Sequence, residues 1–180
     1  MLLAKRGLKH PGEKGAWEFT HLWHKLRPWP DSVEGIGMMK KKYVVATLSN
    51  GNVALLINMA KNGGIPWDHC FSGETFRHYK PDPEAYLRAL EALDLAPHDA
   101  VAIEDSPNGA AAARAADIPV LVTRSTYFSD SEFGDVLAIG PGLHGIAGWQ
   151  PELAARPSAV RPVGLDDIDA WHRNAFMSAD

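Results

Sequence analysis

Apolar positions along the chain fall in short groups with two different spacings. Tyr43-Val44-Val45-Ala46-Thr47-Leu48 is a nearly continuous apolar run, β-branched and flanked by polar turns. Such a run predicts a strand buried on both faces, as in a parallel sheet. Ser49-Asn50-Gly51-Asn52 predicts a turn, after which Val53, Leu56, Ile57 and Ala60 recur at helical spacing up to Gly63-Gly64. Cys70 to Glu74 predicts a short strand. Pro81-Asp82-Pro83-Glu84 opens a helix, with Asp82 as N-cap, Pro83 in the first turn, and Tyr86, Ala89, Leu90 and Leu93 as its inner face. Ala100 to Glu104 predicts another strand, broken by Asp105-Ser106-Pro107-Asn108-Gly109 before an alanine-rich helix over 110–116. Pro119–Thr123 and Val136–Ile139 complete the strands. Strand and helix thus alternate from about 32 to 140, the signature of an α/β domain with a parallel sheet.

The ends of the chain differ from this middle. Residues 13–27 predict a helix with a fair stripe (Trp17, Leu22, Trp23, Leu26), stopped by Pro28 and Pro30. Asp31-Ser32 predicts the N-cap of a helix over about 32–41, closing in Lys40-Lys41-Lys42, where cations suit the negative helix end. That lysine run is expected to be a solvated helix end. Residues 149–164 contain Pro151, Pro157 and Pro162 and predict a linker; from Leu165, a helix carrying Ile168, Trp171 and Phe176 is expected to dock on the body.

Composition changes the picture mainly by exclusion. The 180 residues suit one domain, and a net charge of −4 gives no electrostatic reason to expect nucleic acid or an anionic membrane as partner. No apolar run reaches the length of a membrane helix, and the start is too briefly apolar for a secretory signal. Cys70, the sole cysteine, excludes an internal disulfide and a cysteine-based zinc site, and fits a cytoplasmic location. The eight histidines form no metal motif; His21 and His24 lack a third ligand nearby.

Ligands of parallel sheets bind at the carboxyl ends of the strands, which puts three polar turns in view. Glu104-Asp105 ends a strand in two acids, which either suit Mg²⁺ as hard oxygen ligands or are solvated, with Asp105 capping the next helix. Ser49-Asn50 opens a helix and offers either an anion site or a plain cap. Lys80 precedes a helix start, from which its ammonium can be aimed at an anion or left in solvent.

In order, strand-Ser-Asn, Lys-Pro-Asp-Pro and Glu-Asp-Ser-x-x-Gly resemble motifs II, III and IV of the haloacid dehalogenase (HAD) superfamily of hydrolases over about residues 22–148. The resemblance implies a Rossmann-like parallel sheet with flanking helices, and divides the chain into a helical-cap remnant (1–30), an α/β core (31–148) and a linker with a C-terminal helix (149–180). It implies roles for Ser49 and Lys80 in catalysis, for Asn50, Gly51 and Tyr86 in substrate binding, and for Asp105 and Glu104 in holding metal.

The motifs point to two branches. Trp23–Asp31, Thr47–Asn52 and Tyr79–Tyr86 resemble L-2-haloacid dehalogenases of the metal-independent type. Where their motif IV has an aspartate, this chain has Gly109; its Glu-Asp-Ser-Pro-Asn-Gly run, and the stretch from Tyr127-Phe128 through Gly140, resemble β-phosphoglucomutase-like phosphatases. The phosphatase branch implies Mg²⁺, the dehalogenase branch no cofactor, and both a small anionic substrate. Nothing matches motif I, the nucleophilic Asp-x-Asp, and the residues before 31 hold no aspartate. The expectation is therefore a member lacking its first, central strand and most of the cap, through truncation, a split gene or loss of activity. A non-catalytic module or a homodimer, joined through exposed sheet edges, is the alternative of a different class.

Overall fold

The structure is a computed structural model that describes residues 12–140, 142–143, 150–151 and 165–177. In chain order these form α1 (Gly12–Trp23), α2 (Ser32–Met39), β1 (Ala46–Ser49), α3 (Val53–Gly63), β2 (His69–Ser72), α4 (Glu84–Leu93), β3 (Ala102–Glu104), α5 (Pro107–Ala115), β4 (Val120–Thr123), β5 (Ala138–Gly140), β6 (Gln150–Pro151) and α6 (Leu165–Met177). The fold is α/β, with parallel strands and flanking helices.

The strands form two groups. β1 pairs with β2 in parallel, Ala46 opposite His69 and Ser49 opposite Ser72. β3, β4 and β5 form a second parallel ladder, Ala102 opposite Val120 and Leu121 opposite Ala138. β6 adds an antiparallel edge, Ile139 opposite Gln150, so the predicted linker over 149–164 holds a paired strand near its start; the rest of it lies outside the described residues.

Alternation along the strands separates two apolar layers. Ala102, Val120 and Val122 pack with Tyr86, Leu90, Ala110 and Ala113 of α4 and α5. Leu121, Leu137 and Ala138 pack with Val101 and Ile103 and with Ile168, Trp171 and Ala175 of α6. Alanines of α5 at 0% exposure let that helix lie close on the sheet. The C-terminal helix is also tied by Asp169, which accepts hydrogen bonds from Lys42 and Tyr43.

Several expectations need correction. Asp31 does not cap α2; its Oδ2 accepts from the Leu143 N–H at 2.7 Å instead, holding the 142–143 segment. The lysine run is not merely a solvated helix end, since Lys40 pairs with Asp68 at 2.7 Å and Lys42 with Asp169. α1 is shorter than predicted and buries no residue; Trp17 and Trp23 are 64% and 60% exposed. Asp82 supports the α4 start through its Oδ1, which accepts from the Glu84 N–H at 2.9 Å, one residue later than predicted. Among the described residues no helix is long and apolar enough to cross a membrane.

Candidate active site

β1 and β3 end at the same edge, and the loop before α4 folds across it. Asn52 caps α3 by accepting from the Leu55 N–H at 2.7 Å, which frees Ser49 and Asn50 for other work. Asn50 clamps the Lys80 peptide unit from both sides: its Oδ1 accepts from the Lys80 N–H at 2.9 Å, and its Nδ2 donates to the Lys80 carbonyl at 3.2 Å. Two polar loops far apart in sequence are thereby locked together. The close approach requires Gly73, where a Cβ would meet the Tyr79 ring at 2.6 Å.

So held, Lys80 turns inward. Its Nζ donates to the Leu48 carbonyl at 3.1 Å and to Glu104 Oε1 at 2.5 Å. Both side chains of that pair are largely buried, 11% and 7% exposed. Tyr86, on α4, donates its hydroxyl to the same Glu104 oxygen. Burial and the neighbouring carboxylate push the Tyr86 pKa well up, so the phenol stays neutral and remains a donor. A buried pair with extra hydrogen bonds meets the condition under which burying charge is tolerated.

Gly109 is the necessary counterpart of Glu104. A Cβ at 109 would lie 1.8 Å from Glu104 Oε2. The Glu104 carboxylate thus occupies the space above the first turn of α5, whose cap is Ser106: its Oγ accepts from the Gly109 N–H at 3.1 Å. A glutamate at 104 in this pose and any side chain at 109 exclude each other.

Every candidate site residue is among those described. Ser49, Lys80, Tyr86, Glu104 and Asp105 all line one cavity of about 1080 Å³ between β1 and β3. Asn50 and Gly51 stand behind them as turn residues; the Gly51 N–H donates to Ser49 Oγ at 3.0 Å. Asp105 is exposed and, among the described residues, has no hydrogen bond or ion pair. The other aspartates lining the cavity are engaged: Asp31 by Leu143, Asp99 by the Ala96 N–H and Asp169 by Lys42 and Tyr43. Sequence reasoning did not foresee the Lys80–Glu104–Tyr86 cluster or the steric tie between Glu104 and Gly109. The five-residue spacing from Glu104 at the end of β3 to Gly109 in the first turn of α5 was the available signal.

A family model of the haloacid dehalogenase-like hydrolases matches residues 10–117, more than half of the chain. The chain belongs to this hydrolase family. Among curated relatives of the family, the plasmid-encoded protein CbbY of Cupriavidus necator is 40% identical over 100 residues, 56% of this chain and 39% of that protein. The solved structure of an L-2-haloacid dehalogenase matches with a TM-score of 0.67 and 34% identity, covering 79% of this chain and 65% of that one. CbbY from Rhodobacter sphaeroides in complex with xylulose-(1,5)bisphosphate matches with a TM-score of 0.62 and 26% identity, covering 69% of this chain and 59% of that one. This HAD-like chain therefore spans between 39% and 65% of the length of these relatives.

Proposed function

We propose that the chain provides the anion- and metal-binding side of a Mg²⁺-dependent phosphatase- or phosphomutase-like hydrolase for a small phosphorylated metabolite. The observation behind this reading is the Glu104 carboxylate seated over Gly109. An acid at 109, as in metal-independent dehalogenases, has no room beside it. The acid left free at this strand end is Asp105. The likeness to a CbbY bound to a sugar bisphosphate supports the same choice.

The donor set fits Mg²⁺. This ion is commonly bound by one or two carboxylates, with water and substrate phosphate filling the other positions. Asp105 would hold it, and Glu104 Oε2 offers a second oxygen because Oε1 alone is bound to Lys80 and Tyr86. When bound, Mg²⁺ supplies charge neutralisation and polarisation of a phosphoryl oxygen.

The chain's own residues do the positioning. The Ser49 hydroxyl, oriented by the Gly51 N–H, would meet a phosphoryl oxygen with Lys80 as the fixed cation beside it; preorganised groups of this kind stabilise charge that grows in the transition state. Tyr86 and Asn50 are positioning residues, the first through Glu104 and the second through the Lys80 backbone. Solvent-facing Asp105 is where metal and substrate enter together.

The test is phosphate release from small sugar phosphates, paired with calorimetric titration of inorganic phosphate, each with Mg²⁺ and with EDTA. Mg²⁺-dependent phosphate binding, abolished by Asp105→Asn, is expected. Equal binding in EDTA would overturn the metal assignment. The dehalogenase reading is favoured by one observation, the 34% identical L-2-haloacid dehalogenase structure. It would be supported instead by chloride release from L-2-chloropropionate that persists in EDTA.

A further inference from the structure

The loop that carries Lys80 has two faces. Lys80 turns inward, its side chain 11% exposed, while His78, two residues before it, stands outside at 63%. Asp82, two residues after it, and Glu84, in the first turn of α4, are half-buried beside His78. One ligand atom from each of the three, an imidazole nitrogen and two carboxylate oxygens, lies within 4.8 Å of the other two. None of the three lines the cavity that holds Ser49 and Asp105.

Local backbone holds these atoms in place. Glu84 Oε2 accepts from the Arg77 N–H at 3.1 Å and from the His78 N–H at 2.8 Å, and it lies 2.8 Å from His78 Nδ1. Asp82 Oδ1 accepts from the Glu84 N–H at 2.9 Å, and the Asp82 N–H donates to the Tyr79 carbonyl at 3.0 Å. Loop and helix start thus fold around one point, and each carboxylate keeps a second oxygen beyond the one engaged here. Groups ordered in advance have little freedom left to lose when a cation binds.

The two acids alone are accounted for by the helix start, where carboxylates satisfy N–H groups and suit the positive helix end. The imidazole is not. His78 pairs with Glu84 as a cation only when protonated. Unprotonated, it offers a lone pair to a metal, and the set then carries two negative charges for a divalent ion to neutralise. Zn²⁺ bonds imidazole and carboxylate at about 2.0–2.2 Å, which sets tetrahedral ligand atoms about 3.4 Å apart, within the span seen here. Mg²⁺ keeps to oxygen ligands, so a mixed nitrogen and oxygen set prefers the imidazole-binding transition ions.

We propose that His78, Asp82 and Glu84 form a second, outer metal site, which binds Zn²⁺ with water in the remaining position and clamps the loop that presents Lys80. Its ligands His78 and Asp82 flank Lys80 by two residues on either side, so a bound ion closes a ring on the outer face of the loop. Asn50 grips the Lys80 peptide unit from the inner face. The inference rests on this loop alone and stands whichever anion the active site takes.

The test uses the full chain labelled with ¹⁵N, titrated with Zn²⁺ in excess Mg²⁺. Binding is followed by calorimetry and through the imidazole nitrogens of the eight histidines. One equivalent is expected to bind, with the His78 nitrogens shifting at that equivalence, and this binding should persist in Asp105→Asn. His78→Ala should weaken it by at least about tenfold, since even outer-shell changes at metal sites cost about 10–100-fold. An unchanged amide spectrum shows that this exposed replacement leaves the fold intact. With Zn²⁺ bound, the Lys80 amide should exchange with solvent at least about threefold more slowly, and an unchanged rate would overturn the clamp. His78 nitrogens unmoved at saturating Zn²⁺, or a response centred on His21 and His24 instead, would overturn the site. Equal affinity in His78→Ala, or displacement of Zn²⁺ by the excess Mg²⁺, would do so too.

Discussion

The two ladders have similar strands in different surroundings. β4 is buried at Val120, Leu121 and Val122, with neighbours on both edges and helices on both faces. β1, which continues the apolar run from Tyr43, is only half-buried along all four of its residues, because one edge looks into the cavity. An apolar run therefore encodes a strand meant for burial on both faces, whereas its actual burial depends on what lies alongside. The polar cluster of Lys80, Glu104 and Leu48 ties the carboxyl ends of the two ladders together.

Breaking that tie is expected to have the largest effect. Lys80→Ala leaves Glu104 buried without its cation, and a loss of about 3–5 kcal/mol in urea unfolding is expected. A loss below about 1 kcal/mol would mean that the ladders do not depend on it. The contrast between ladders is sharpened by paired truncations. Leu121→Ala should cost about 2–5 kcal/mol, and Leu48→Ala less than half as much, because its side chain already has fewer neighbours to lose. Equal costs would contradict the difference in burial.

A smaller effect is expected at the α5 start. Gly109→Ala forces the Glu104 carboxylate to move and should destabilise by about 1–3 kcal/mol, as overpacking does. In Glu104→Ala the same glycine replacement should cost much less, and a double-mutant cycle measures the coupling. The smallest effect concerns acid. The hydrogen bonds from Lys42 and then Tyr43 hold the Asp169 carboxyl below its usual range. A depressed carboxylate pKa stabilises the fold above the unfolded value of about 3.9, and this contribution is lost as pH falls through the lowered folded value. Fluorescence of Trp171, on the α6 face that packs on the sheet, should therefore report loosening of this helix only in that acid window, and Asp169→Asn should remove the pH dependence.

Much of the fold was legible because each element is locally consistent. The helical spacing from Val53, the Pro-Asp-Pro-Glu start and the alanine run of α5 all coincide with helices. What escaped was decided by distant partners. Asp31 has the chemistry of a cap but is used by Leu143, and α1 has an apolar stripe that no packing among the described residues buries. At the site, the order of the three turns announced their meeting, while the inward turn of Lys80 did not. It depends on Asn50 gripping its backbone and on Gly109 leaving room for Glu104. Neither condition is visible in a single turn.

The central claim is that the Ser49 turn, Lys80 and Asp105 share one guest, a phosphate-type anion with its metal. Mn²⁺ in place of Mg²⁺ tests it directly through paramagnetic broadening of amide resonances in the presence of inorganic phosphate. Broadening is expected at Ser49, Gly51 and Ser106 and should vanish in Asp105→Asn. The competing donors are His78, Asp82 and Glu84, whose ligand atoms lie within 4.8 Å of one another. Broadening centred on that cluster, with the Ser49 turn untouched, would contradict the account.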